Sequence, residues 1–175
     1  FDPRIPLNGH LLHQSGFTGK KITIAVLDAG FDGADAIESL APLRQRGGII
    51  ATWNFVTGTD QVYDYHTHGT SVLSILAGSL PGIINGTAPG ADYMLLRTED
   101  DETEYPVEED YWVAAAEYAD SAGADIITSS LGYFTFDDPD LDYSFSDMNG
   151  NTPFITRGAD IAASKGILVV NSAGN

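Results

Sequence analysis

Cysteine is absent from the 175-residue sequence, which excludes disulfides, thiolate chemistry and Cys-ligated zinc together. Basic residues are scarce: 8 Lys and Arg stand against 25 Asp and Glu, for a net charge of −17. Such a chain lacks the clustered cations that phosphate binding needs, so nucleic acid and anionic membrane surfaces are excluded as expected partners. No apolar run approaches the roughly 20 residues of a membrane span. Internal repeats, low-complexity linkers and domain boundaries are missing as well, and the length suits one core rather than two. Charged residues make up only 19% of the chain and hydrophobic ones 43%, which points to a packed globule and not a disordered acidic tail. The sequence opens on Phe1 and shows no signal-peptide pattern, as expected of a processed or excised product.

The acidic residues are unevenly placed. Between Thr98 and Thr156 there is no Lys or Arg, while 16 carboxylates fall in that stretch. They gather in two knots, residues 99–110 and residues 137–147. Solvated loops, a cation site, or an acidic rim facing a basic substrate would each account for them.

Strands and helices take turns along the chain. Residues 22–28 (ITIAVLD), 92–97 (DYMLLR), 125–129 (DIITS) and 167–171 (ILVVN) are almost continuously apolar, as buried parallel strands covered on both faces should be. Residues 49–56 form a further candidate strand. Helical spacing is expected over 34–43, 68–80, 110–122 and 156–165, with Gly123 and Gly166 as stops. The expected fold class is α/β, an open, mostly parallel sheet with helices on both faces. Ligands of such sheets bind outside the carboxyl ends of the strands. That rule singles out Asp28, the run Ser130-Leu131-Gly132, and residues 171–175.

Each candidate is weak alone. Asp28 ends a buried strand, where a carboxylate needs a partner. It could accept a phosphoryl group, orient an imidazole or cap a turn, and Asp28-Ala29-Gly30 lacks the second acid that phosphotransfer would want. His68 sits in His68-Gly69-Thr70 at the head of a helix rich in small residues, where Gly69 admits another backbone closely. A zinc reading of Asp64, His66 and His68 lacks a convincing further ligand, since His10 and His13 are the only other histidines. Asn175 ends Ala173-Gly174-Asn175, and its amide could donate to an oxyanion or cap a helix.

Together, Asp28, His68 in His-Gly-Thr, Ser130-Leu131-Gly132 and Ala173-Gly174-Asn175, in that order at strand ends, resemble the subtilisin-like serine proteases (the subtilases) over essentially the whole chain. The resemblance implies a subtilisin-like three-layer fold whose C-terminal part is missing, with residues 1–175 as the N-terminal portion of one peptidase domain. It implies Asp28 as the orienting acid, His68 as the general base and Asn175 as the oxyanion donor. Ser130, Leu131 and Gly132 would pair with a polypeptide substrate as an added strand, and Ser172, Ala173 and Gly174 would line the opposite wall. It also implies secretion. The family often holds structural calcium, for which Asp147, Asn149 and Asn151 around Gly150 are the candidates, although no bidentate Glu follows.

Some residues depart from the family's common pattern. Ser71 stands where many relatives carry His, and Leu73-Ser74 where Ala-Gly is usual. The nucleophile's Gly-Thr-Ser, expected downstream of the asparagine, is not among the 175 residues; Gly69-Thr70-Ser71 belongs to the histidine motif. The serine is therefore expected on a segment beyond residue 175, and the C-terminal remainder of the domain as a partner. Without it, a sheet edge and one face of the His68 helix should be left uncovered. The alternatives are a non-catalytic α/β binding module or an inert truncated fragment.

Overall fold

The structure, a computed structural model, describes residues 8–174. Its main sheet has five strands: β1 (Thr23–Asp28), β2 (Ile49–Asn54), β5 (Asp92–Arg97), β6 (Ile126–Ser129) and β7 (Leu168–Asn171). They lie in the order β2-β5-β1-β6-β7, and every pairing is parallel. A two-stranded antiparallel hairpin, β3 (Ser79–Leu80) and β4 (Ile84–Asn85), stands apart. The helices are α1 (Gly9–Gln14), α2 (Ala41–Gln45), α3 (His68–Ala77), α4 (Val107–Ser121) and α5 (Phe154–Ser164).

The continuous apolar runs are explained by the sheet having two covered faces. Ile24 and Val26 of β1 join Tyr93 and Leu95 of β5 on one face, packed on Leu40, Leu43, Leu73 and Ala77. Ala25 and Leu27 join Met94, Leu96 and Ile127 on the other face, packed on Trp112, Ala115, Ala119 and Ala162. Strand side chains alternate between faces, so both sets must be apolar. The edge strand β7 differs from the expectation of burial on both faces: Leu168 is 59% and Val170 46% exposed, while Val169 packs inward.

One crossover runs against the others. β1 to β2 crosses the sheet one way and the remaining three connections cross it the other way. Yet α2 and α3 share the first face, while α4 and α5 share the second. The β2–α3–β5 unit therefore has the opposite hand to the other three, against the strong preference for right-handed crossovers. Its effect is to lay α3 against β1 and bring the head of α3 to the carboxyl end of that strand.

Four of the expected helices differ in the structure. Residues 34–43 do not form one helix: a turn follows Gly33, Ile37 is extended, and a 3-10 turn at Glu38–Leu40 leads into α2. Pro42 has no N–H and would clash with the carbonyl four residues back, so a helix cannot run through it. Arg44 ties the segment down by donating to the Ala34, Ala36 and Ile37 carbonyls. Helix α3 stops at Ala77, before the hairpin. Helices α4 and α5 start earlier than expected, which places Glu108, Glu109 and Asp110 in the first turn of α4, where the helix dipole favours negative charge.

Glu108 and Glu109 are each 1% exposed. Glu108 Oε1 accepts the Asp100 N–H at 2.8 Å and Glu109 Oε2 accepts the Ile155 N–H at 2.8 Å, so the two acids bind the loop before α4 and the start of α5. Burial, opposed by the Asp100 N–H and aided by Glu99 and Glu104, pushes the Glu108 carboxyl up to about 7.

Two outcomes follow for the full-length protein. The N–H of Gly69 donates to the Gly30 carbonyl at 3.0 Å, and a Cβ on Gly69 would lie 2.4 Å from that oxygen and 2.8 Å from Phe31 Cε1. Gly69→Ala should cost about 1–3 kcal/mol by overpacking, read as a lower urea midpoint at unchanged m; a midpoint at or above wild type would contradict this packing. For Glu108, a folded-state pKa above the ordinary 4.5 means that stability from the bound proton is full below 4.5 and lost as pH rises towards 7. Urea titrations across pH 4–8 should show Glu108→Gln gaining on wild type through that window and levelling above it. A constant difference would show that Glu108 does not titrate in a buried site.

Candidate active site

Asp28 is the last residue of the central strand, 0% exposed, at the point where the sheet's connections diverge to either side. Its Oδ1 accepts the Ala29 N–H at 2.9 Å. His68 is the first residue of α3, and its Nδ1 lies 2.8 Å from Asp28 Oδ1 and 3.0 Å from Oδ2. An ionised carboxylate only accepts, so Nδ1 carries the proton and donates it, leaving Nε2 of the neutral ring as an acceptor. Burial pushes the Asp28 carboxyl above the ordinary carboxylate range, and the His68 hydrogen bond and charge oppose that rise. The acid is buried while the imidazole side chain is 45% exposed, so the pair presents its basic edge outward.

Gly30 makes the approach of the two elements possible. It has φ +155°, and a Cβ there would stand 2.6 Å from the His66 nitrogen and from Tyr65 Cβ. The Phe31 N–H donates to the Val62 carbonyl and the Thr70 hydroxyl donates to the Asp32 carbonyl, clamping the turn after β1 to the segment leading into α3.

The imidazole opens into a cleft of about 390 Å³. Ala29, His66 and His68 form one end, Ser130 and Leu131 one wall, and residues 99–104 with Asp137 the other. Six of the lining side chains are carboxylic acids and none is Lys or Arg. Arg97, the β5 residue in register with Asp28, is buried behind this wall. Its Nε donates to the Ala29 carbonyl at 2.9 Å, its guanidinium lies over the Tyr65 ring, and it pairs with Asp100 at 3.3 Å and Asp101 at 3.9 Å. Arg97 thus braces the turn beside Asp28. Its only signal in the sequence is that it is the last base before the long acidic stretch.

Leu131 also lines a second, more apolar cavity of about 310 Å³, shared with Gly132, Trp112, Tyr133, Met148 and Val169. The Asn171 amide donates to the Leu131 carbonyl at 3.2 Å, and the Ser172 N–H donates to the Ser129 carbonyl at 3.1 Å. These bonds hold the strand ends of β6 and β7 side by side, with Ser172, Ala173 and Gly174 exposed beyond them. Asn175 lies outside the described residues. Ser71 is exposed on α3 and donates to the Thr67 carbonyl at 3.3 Å.

The candidate metal loop closes on itself. Asp147 Oδ2 accepts the Ser144 N–H and hydroxyl, and Asn149 Oδ1 accepts from Asn151 N–H, Thr152 N–H and the Thr152 hydroxyl. Asp147 Oδ2 and Asn149 Oδ1 thus already accept hydrogen bonds within the turn. Among the described residues, no three His, Asp or Glu side chains come together as a metal site, Asp64, His66 and His68 included.

The sequence model of the subtilase family matches residues 19–175. Subtilisin E of Bacillus subtilis is 31% identical over 166 residues, covering 94% of this chain and 37% of its own length. The major intracellular serine protease of the same organism is 31% identical over 168 residues, covering 91% and 44%. Among solved structures, fervidolysin from Fervidobacterium pennivorans, a keratinolytic enzyme related to subtilisin, superposes with a TM-score of 0.64 at 26% identity, over 93% of this chain and 22% of that one. The MycP3 protease of a type VII secretion system shares the fold, with a TM-score of 0.73 at 22% identity, over 99% and 46%. The chain thus spans less than half the length of these relatives. Its parallel sheet, and the acid and histidine joined at the sheet's centre, agree with that match, and the chain belongs to the subtilase family of serine peptidases.

Proposed function

We propose that this chain is the N-terminal portion of a single subtilisin-type peptidase domain, hydrolysing internal peptide bonds with a Ser-His-Asp triad whose serine lies on a segment beyond residue 175. The observation that carries this reading is the Asp28–His68 hydrogen bond, with the other imidazole edge facing a cleft bordered by Ser130 and Leu131. Ser71 is a poor alternative nucleophile: it follows His68 by three positions on the same helix, bonds its own backbone and does not line the cleft.

In this mechanism His68 Nε2 takes the proton of the attacking serine hydroxyl, and Asp28 stabilises the resulting imidazolium. The carbonyl oxygen gains negative charge as the tetrahedral intermediate forms, and the Asn175 amide donates to it. His68 then returns the proton to the leaving amine, and the C–N bond breaks to give an acyl-enzyme. Water enters, gives its proton to the same nitrogen, attacks the ester and regenerates the serine. The substrate backbone pairs with residues 130–132, with Ser172, Ala173 and Gly174 on the opposite side.

The remainder of the domain is the partner this reading requires. Support comes from the chain's partial coverage of its relatives and from the exposed apolar side chains of β7, which suit a covering segment. Secretion is part of the same proposal and is tested by recovering the protein outside the cell; the intracellular relative shows that family membership alone does not determine the compartment.

In the full-length protein, His68→Ala and Asp28→Asn should each lower kcat/KM for peptide hydrolysis by about 10⁴-fold or more. Hydrolysis at the wild-type rate in either variant would overturn the assigned mechanism.

A further inference from the structure

We propose that Glu99 determines specificity, its carboxylate receiving the ammonium or guanidinium of a substrate Lys or Arg that lies between residues 99–104 and the Ser130–Leu131 wall, beside the bond offered to His68. The inference rests on the peptidase reading of the cleft and names its substrate class.

Glu99 lines the same cleft as His68, Ser130 and Leu131. Its Oε2 accepts the hydroxyl of Tyr133, a residue 6% exposed, at 3.1 Å. A buried donor therefore orients this carboxylate. Asp100 and Asp101 are already paired with Arg97, so they are poorer candidates. Glu104 and Asp137 stand in the cleft wall with no cation beside them there, and the buried Glu108 beneath the loop has an Oε2 without a hydrogen-bond partner. Burial first, and then the charges of Glu104 and Asp28, push the Glu99 carboxyl up to about 7. An incoming cation relieves that repulsion and an incoming anion adds to it. In a partly desolvated cleft such a pair is worth more than on open surface.

The test uses the full-length protein and quenched-fluorescent peptides that differ only by Lys, Ala or Glu, walked through four positions on either side of the scissile bond. At one position Lys should exceed Glu in kcat/KM by at least tenfold, about 1.4 kcal/mol, and the ratio should shrink from 20 mM to 500 mM salt. Glu99→Lys should invert the ratio at that position. Tyr133→Phe, which frees the carboxylate, should reduce it without inverting it. Hydrolysis with Lys, Ala and Glu equivalent at every position would overturn the selectivity and leave the peptidase reading intact. Binding of the same peptides to His68→Ala, followed by fluorescence anisotropy, reads the cleft without turnover. A Lys preference in binding, with no hydrolysis by the wild type, would keep the selectivity and overturn the peptidase reading. No preference in binding or in turnover would overturn the proposal.

Discussion

The hydrogen bond between Asp28 and His68 is the constraint that the surrounding architecture serves. A carboxylate at the end of a buried central strand is costly unless it is paired, and its partner arrives on a helix 40 residues later. Bringing them together takes a crossover of unusual hand, a glycine on the helix where any side chain would strike the turn, and a second glycine in the turn itself. Arg97 completes the support from the neighbouring strand by holding the Ala29 carbonyl. Each of these features costs stability or freedom that an ordinary α/β sheet would not give up, and each fits a pair of side chains held in one geometry for proton transfer.

The acidic loops are the second theme. A chain with 25 acids and 8 bases must place many carboxylates away from cations, and the structure sorts them by role. Glu108 and Glu109 are structural, each holding a backbone N–H of a neighbouring segment. Asp100 and Asp101 answer Arg97, while Glu99, Glu104 and Asp137 face the cleft. The cleft beside His68 is thereby strongly negative, and any substrate entering it meets that field before it meets the chemistry.

The core strands were legible because burial on both faces leaves a continuous apolar run, and Ile22 to Asp28 announces β1 to within one residue. Asp28 was legible because strand ends are where such sheets bind ligands, and His68 because of its His-Gly-Thr motif at the head of a small-residue helix; the two do meet. Residues 34–43 misled because Ile37, Leu40 and Ala41 have helical spacing although Pro42 interrupts it. Glu108 and Glu109 were hidden inside an acidic run that reads as solvated surface; only their hydrogen bonds to distant backbone show why they are buried. Arg97 gave no local pattern, since its role depends on strand pairing that places it opposite Asp28. The exposed face of β7 follows from what covers the strand, which its own residues do not reveal.

The central claim is that Asp28 and His68 activate a serine. The most direct measurement is labelling of the full-length protein with a fluorophosphonate probe, followed by peptide mass mapping, for wild type and Asp28→Asn side by side. The account predicts one labelled serine in wild type, lying beyond residue 175, and labelling at least a hundredfold slower in the variant, in keeping with the orienting role of a triad acid. Equal labelling of the two proteins, or no labelled serine in the wild type, would contradict it.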